Sequence, residues 1–247
     1  MSTATTARSI EGLLRKFKLS TAASEVEDAF VRAGHADALP ALEDVLLAEA
    51  DARLHRRVDR LRRESRLPPG KTMAALELDR LGLPLANSLR ELARGGFADR
   101  AENVLAFGLP GTGKSHAACA IGHELVAAGR TVLFAPTFKL VQDLLAAKRD
   151  LELPRMLRKL DRFEVIVLDD IGYVQQSPEE IEVLFTLMAE RYERRSLVIT
   201  SNLVFSEWDR IFQNPMTTAA AIDRLVHHSV VLEFDVESYR SGHKDPA

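Results

Sequence analysis

Gly108-Leu109-Pro110-Gly111-Thr112-Gly113-Lys114-Ser115 decides how this 247-residue chain is read. The stretch fits G-x-x-x-x-G-K-[ST], a phosphate-binding loop. Its flanks are those the motif requires: an apolar run, Val104 to Phe107, leads in, and a helical pattern, His116 to Ala128, leads out. Glycines suit such a loop because successive backbone N–H groups must turn inward onto phosphate oxygens, a bend that residues without Cβ make cheaply. The helix start adds the positive end of its dipole. On this reading Gly108 to Ser115 cradle the phosphates, Lys114 reaches the outer ones, and the Ser115 hydroxyl holds Mg²⁺.

The rest of the chain is consistent with one large domain carrying a small appendage. A hydrophobic content of 46% supplies a core and 28% charged residues implies solubility. No apolar stretch is long enough to span a bilayer, and the Ser/Thr/Ala-rich start, Met1 to Arg8, leads into no hydrophobic segment. A cytoplasmic location is expected, with no membrane partner. A single cysteine, Cys119, excludes internal disulfides and reads as a buried, inert thiol in the helix after the loop. The formal net charge of −3 does not by itself announce a nucleic-acid binder, so charge distribution has to make that case.

Ahead of the loop the pattern is helical. Ile10, Leu13, Leu14 and Phe17 recur at helical spacing, and Val26, Ala29 and Phe30 continue it to a stop at Gly34. Pro40 starts a further helix, lined by Leu42, Val45, Leu46 and Ala50. It runs into Arg53, Arg56, Arg57, Arg60, Arg62, Arg63 and Arg66, offset only by Asp59 and Glu64. Leu67-Pro68-Pro69-Gly70 ends that helix. The expected division is therefore a helical N-terminal domain, 1–70, and a second domain, 71–247. Residues 71 to 99 read as a connector with one short helix, Asn87 to Arg94. After Arg100, strands and helices alternate. The strands are Val104–Phe107, Thr131–Ala135, Val165–Leu168, Leu197–Thr200 and Val230–Phe234. Short β-branched runs separated by helices predict an α/β fold, a five-stranded parallel sheet covered on both faces.

Two strand ends carry further chemistry. Val165-Ile166-Val167-Leu168 runs straight into Asp169-Asp170. Side chains at the carboxyl end of a parallel strand face the ligand crevice. Asp169 would hold Mg²⁺, directly or through water, beside Ser115. Asp170 would orient or deprotonate the attacking water. Leu197-Val198-Ile199 ends in Thr200-Ser201-Asn202. Asn202, a turn former elsewhere, can there bridge the water and a terminal phosphate oxygen.

Taken together, Gly108–Ser115, Asp169-Asp170 and Thr200-Ser201-Asn202 resemble the Walker A, Walker B and first sensor motifs of AAA+ ATPases, more closely those of the IstB/DnaC family. The tail resembles the IstB branch: Thr200-Ser201-Asn202-Leu203, Phe205-Ser206-Glu207-Trp208, Ile222-Asp223-Arg224-Leu225-Val226-His227-His228 and Ser238-Tyr239-Arg240. So does the lead-in, with Glu91-Leu92-Ala93, Phe97 and Glu102-Asn103-Val104. The resemblance implies ATP and Mg²⁺ as ligands and hydrolysis at interfaces of a homo-oligomer. It implies that Arg224 reaches the γ-phosphate held by a neighbouring copy, against the plainer reading of a local pair with Asp223 or Glu233. It also implies that Arg240 lies near the nucleotide. Two departures stand out. Asp170 replaces the glutamate common in AAA+ enzymes, and the sequence after Phe234 is too short for the usual helical lid. His227-His228 are accompanied by no Cys or carboxylate cluster at ligand spacing in the sequence and read as structural.

An extra helical pair, Phe138 to Ala147 and Leu153 to Leu160, resembles the insertion with which initiator and loader ATPases grip DNA. It carries Lys139, Lys148, Arg149, Arg155, Arg158 and Lys159, diluted by Asp150, Glu152 and Asp161. Few aromatics interleave these charges, so contact with the backbone of duplex DNA is expected rather than base stacking. The tract Arg53 to Arg66 either binds DNA or docks a neighbouring subunit or the transposase. The resemblance thus implies an ATPase that assembles on target DNA and assists a transposase of the IstA type. A helicase loader of the DnaC type is the alternative. A small-molecule kinase on the same loop would need an acceptor pocket and a lid, and no candidate lid is present in the sequence.

Overall fold

The computed structural model describes residues 9–172, 177–203, 207–208, 219, 223, 225–236 and 238. By their contacts the residues group into two compact units, Met1–Asp59 and Arg60–Ala247. The first contains α1 (Ile10–Lys16), α2 (Ser20–Arg32) and most of α3 (Leu39–Ser65). Ser9 caps α1 by accepting the Gly12 N–H at 3.1 Å. Ile10, Leu14 and Ala23 form a small core with Val26, Leu39, Leu42 and Leu46 against it. Within this unit the arginine tract is partly occupied. Arg53 and Arg56 pair with Glu49 at 2.6 and 3.2 Å, and the Arg53 guanidinium lies 4.1 Å from the centre of the Phe17 ring. The Arg53 hydrogen bond, with Arg56 close by, holds the Glu49 carboxyl below its usual range.

The helix ends where the prolines demand it. Ser65 donates to the Arg62 carbonyl at 2.8 Å, and Arg66 turns into the left-handed region. Grouping by contact places residues 60–70 with the second unit. The connector holds more helix than expected. It contains α4 (Leu83–Ala93) and the single turn α5 (Gly96–Asp99). Helix α4 starts four residues earlier than the sequence pattern suggests, with Pro84 in its first turn, where a missing N–H costs nothing.

The second unit is built on a five-stranded, wholly parallel sheet in the order β2-β3-β4-β1-β5. Its strands are β1 (Asn103–Gly108), β2 (Val132–Pro136), β3 (Val165–Ile171), β4 (Ser196–Ser201) and β5 (Ser229–Phe234). Around them lie α6 (Lys114–Ala127), α7 (Thr137–Arg149), α8 (Leu153–Leu160) and α9 (Pro178–Arg191). Strand alternation sorts the core into two layers. Leu105, Phe107, Ile166, Leu168, Leu197 and Ile199 face the layer made by α7 and α9, where Leu144, Val183 and Leu184 are sealed from solvent. Val104, Ala106, Val165, Val167 and Val198 face the opposite layer with Leu89 of α4 and Ile121 and Leu125 of α6. Ile166, fully buried at 0% exposure on the interior strand β3, should lose about 2–5 kcal/mol on truncation to Ala, read as a lowered urea midpoint.

At the amino end of the sheet Arg191 is buried and donates to the carbonyls of Leu160, Phe163, Glu164 and Ser196 at 3.0–3.3 Å. Burial pushes its pKa down to about 9, which leaves it charged at neutral pH. Cys119, also sealed, has its thiol pushed up to about 12 by burial and is therefore neutral. No described helix is long and apolar enough to cross a membrane. The lid question concerns residues that lie mostly outside the described ones.

Candidate nucleotide site

The carboxyl ends of β1, β3 and β4 converge on one cleft of about 460 Å³, lined by the loop after β1, by Asp170, Thr200 and Asn202, and by Lys71, Ala75, Leu76 and Glu77 of the connector. Two constraints explain the loop's glycines. Gly111 and Gly113 have φ of 86° and 98°, where side chains are strained. At Gly108 a Cβ would sit 2.5 Å from the Phe234 carbonyl oxygen, because the end of β5 runs against it. Thr112 is buried and closes the loop by donating to the Leu109 carbonyl at 2.8 Å. Lys114 opens α6, one residue before Ser115. Its ammonium is largely buried and donates to the carbonyls of Gly108 and Leu109, both at 2.7 Å. The cation is thus delivered to the loop interior, where phosphate oxygens can replace those carbonyls.

The acids are organised by one hydroxyl. Thr200 donates to Asp169 Oδ1 at 2.8 Å and accepts the Asp170 N–H at 2.8 Å. Strand β3 does not stop at Leu168 as the pattern suggests. It continues to Ile171 through an irregularity against β4. At that irregularity Asp170 takes φ of 63°, a left-handed conformation uncommon for a side-chain-bearing residue. The twist turns the Asp170 carboxylate into the cleft, where its Oδ1 accepts from Asn202 Nδ2 at 2.9 Å. Asp169 is half-buried behind it, its carbonyl bonded by Thr137. The donor set for a divalent ion, one hydroxyl and one carboxylate, is hard oxygen and suits Mg²⁺.

Lys114, Ser115, Asp170 and Asn202 therefore share one cleft, with Asp169 one hydrogen bond away through Thr200. Sequence reading assigned Thr200 no role of its own, although its position in the quoted motif was a signal. It also passed over Lys71, Ala75, Leu76, Glu77 and His116, which line the same cleft. Arg224 and Arg240 lie outside the described residues. Their neighbourhood is partly visible. Asn103, at the start of β1, donates to the Leu225 carbonyl at 3.3 Å and accepts the Leu197 N–H at 2.9 Å. Trp208 is sealed, donating to the Leu203 carbonyl at 3.2 Å.

The basic residues of α7 and α8 have different surroundings. Lys148 pairs with Glu182 at 2.6 Å and Arg155 with Glu152 at 3.4 Å. Arg158 borders a hollow shared with Asp161, Glu190 and Arg194, and Arg149 is exposed at the end of α7. Lys139 and Lys159 line a separate cleft of about 340 Å³ together with Arg66. At the amino end of the sheet, Glu193 lies 3.5 Å from His228, and its carboxylate and the rings of His227 and His228 place ligand atoms within 4.8 Å of one another. All three are exposed. The carboxylate missing beside these histidines in the sequence thus arrives from a distant turn.

Comparison with known proteins matches residues 12–247 to the family model described as IstB-like ATP binding protein. A relative from Sinorhizobium fredii, named as an insertion sequence ATP-binding protein, is 45% identical over 82% of this chain and 67% of its own. One from Pseudomonas aeruginosa, named for the insertion sequence IS21 and ATP binding, is 35% identical over 96% of this chain and 91% of its own. Among solved structures, DnaI matches 68% of this chain and 94% of its own with a TM-score of 0.57 at 17% identity. AMPPCP-bound DnaA from Aquifex aeolicus matches 70% and 52% with a TM-score of 0.56 at 15% identity. These likenesses show the AAA+ P-loop fold.

Proposed function

The chain belongs to the IstB-like ATP-binding protein family, and on that premise we propose that it is a Mg²⁺-dependent, DNA-stimulated ATPase that assembles on target DNA and assists an IstA-type transposase. The observation that carries the reading is the convergence of Lys114, Ser115, Asp170 and Asn202 on one cleft, with Thr200 tying Asp169 to Asp170. Lys114 and the loop N–H groups hold the triphosphate. Ser115 and Asp169 would hold Mg²⁺, which when bound would supply positive charge against the phosphoryl oxygens. Asp170, braced by Asn202, orients the attacking water and takes its proton. Asn202 turns the same water toward the terminal phosphate.

Arg224 completes the site of an adjacent copy. Support comes from its neighbour Leu225, whose carbonyl is held at the start of β1, whereas the chain's own loop follows the end of that strand. The separation along β1 is about 16 Å. That separation favours the reading in which Arg224 serves another subunit's nucleotide. Arg240 would sit near the same interface. For DNA, Lys139, Lys148, Arg149, Arg155, Arg158 and Lys159 contact the phosphate backbone from the α7–α8 pair. Residues 1–70 supply subunit and partner contacts, 71–247 form the ATPase domain, and the protein works in the cytoplasm.

The test is steady-state ATP turnover with and without duplex DNA. Turnover should rise on adding duplex, depend on Mg²⁺, and show DNA affinity falling steeply with salt. Turnover indifferent to duplex but raised by single strands and a replicative helicase would favour the loader alternative.

A further inference from the structure

Pro68 and Pro69 have no N–H to give, and the connector just before the cleft makes only local turns of its own, Lys71 N–H to the Pro68 carbonyl and Ala75 N–H to the Thr72 carbonyl, both at 3.2 Å. Side chains of α6 tie those turns to the body of the unit. His123 Nε2 lies 3.0 Å from the Pro68 carbonyl, and His116 Nε2 lies 2.9 Å from the Thr72 carbonyl. A carbonyl only accepts, so each ring donates Nε2–H, which fixes the tautomer. The histidines are seven residues apart on α6, two helical turns, and so point to the same side. Between them Gly122 lets Leu67 approach: a Cβ there would fall 2.9 Å from Leu67 Cδ2. One face of the helix that begins at the phosphate loop thus grips residues 67–72 at two polar points and one apolar point. The chain that emerges from this grip supplies Lys71, Ala75, Leu76 and Glu77 to the cleft wall facing the loop.

We infer that His116 and His123 are positioning residues: by fastening the Leu67–Thr72 strap to α6 they set the wall against which the base of the nucleotide rests, and so the preference for ATP over other triphosphates. This rests on the ATP-binding reading of the cleft. The loop grips phosphates whatever base they carry, so discrimination must come from the opposite wall. Fastening both to α6 helps to fix the distance of that wall from the loop. Ala75 and Leu76 offer apolar surface to a base, and Leu76 is itself anchored in the core. His116 borders the cleft as well, but His123 does not, which makes His123 the cleaner probe.

The experiment is calorimetric titration of the full chain with ATP, GTP and inorganic tripolyphosphate. His123→Ala should weaken ATP about three- to tenfold, as loss of one part-buried hydrogen bond would. The ATP-to-GTP ratio should fall, and tripolyphosphate affinity should stay unchanged, which also reports that the variant is folded. His123→Gln, whose amide reaches as far as Nε2, should behave as the unaltered chain. His123→Asn, polar but too short, should behave as the alanine variant and decides the matter if His123→Ala does not fold. Unchanged ATP affinity and selectivity in His123→Ala or His123→Asn would overturn the inference. So would an equal loss for ATP and tripolyphosphate, or a glutamine variant as impaired as the alanine one. Lys114→Ala separates this from the parent reading. If it binds ATP as well as the unaltered chain does, the cleft itself has been misassigned.

Discussion

Lys114→Ala should abolish ATP binding and, with it, assembly on DNA. The ammonium is largely buried at the loop and already satisfied by two carbonyls at 2.7 Å, so the site is shaped to present a desolvated cation to whatever displaces them. Triphosphate oxygens bring several negative charges to that point, in surroundings where charge-assisted hydrogen bonds are about twice as strong as neutral ones. Alanine leaves those charges facing loop N–H groups and a helix dipole alone. The loss should be at least a hundredfold in ATP affinity, about 3 kcal/mol. Because assembly is proposed to draw on ATP's higher affinity for the assembled state, losing the ligand loses the assembly too. Calorimetry for ATP and sedimentation with duplex DNA read the two effects separately. A variant that still assembles on DNA with ATP would break the link between them. The fold itself should survive, since the loop carbonyls to which Lys114 donates can then meet water.

How far the sequence discloses the site follows the range of the chemistry. The phosphate loop is contiguous, and its glycines answer to two local facts, positive φ and the close approach of β5, so it is legible residue by residue. The pairing of Asp170 with Asn202 is legible too, because both close apolar strands that a parallel sheet sets near each other. What escapes is geometry created by contact. The irregularity that rotates Asp170 depends on the β3–β4 register, which no single strand encodes. The strap escapes because its donors are histidines 44 and 55 residues beyond the carbonyls they bind. The basic pair α7–α8 is found in its expected place between β2 and β3, yet Lys148 is paired with Glu182, an acid 34 residues away in sequence. The same blindness hid Glu193 from His227 and His228, 34 and 35 residues away in sequence.

The chain's most decisive expected result comes from two variants that are each inactive alone. Asp170→Asn should keep ATP binding and lower hydrolysis by about 10²–10⁴, the scale of a lost general base. It should fold normally: asparagine tolerates the left-handed φ of 63°, and its side-chain oxygen can still accept from Asn202. Arg224→Ala should likewise spare ATP binding and remove DNA-stimulated turnover, by about 10³–10⁵ if it stabilises phosphoryl charge as such arginines do. If Arg224 served its own subunit's nucleotide, every copy in a mixture would lack either its acid or its arginine, and the mixture would stay inactive. If it serves the neighbour's, mixing restores some interfaces. A site with an intact Asp170, from the Arg224→Ala chain, then meets an intact Arg224 from the Asp170→Asn chain. Random assembly of equal amounts makes that pairing at about one interface in four. Turnover in a mixture should therefore recover to about a quarter of the unaltered rate, and only when DNA and ATP allow the copies to assemble. Recovery requires that the arginine cross between subunits. A mixture as inactive as its components, with assembly intact, would return Arg224 to a local role and leave the interface to be completed by another cation.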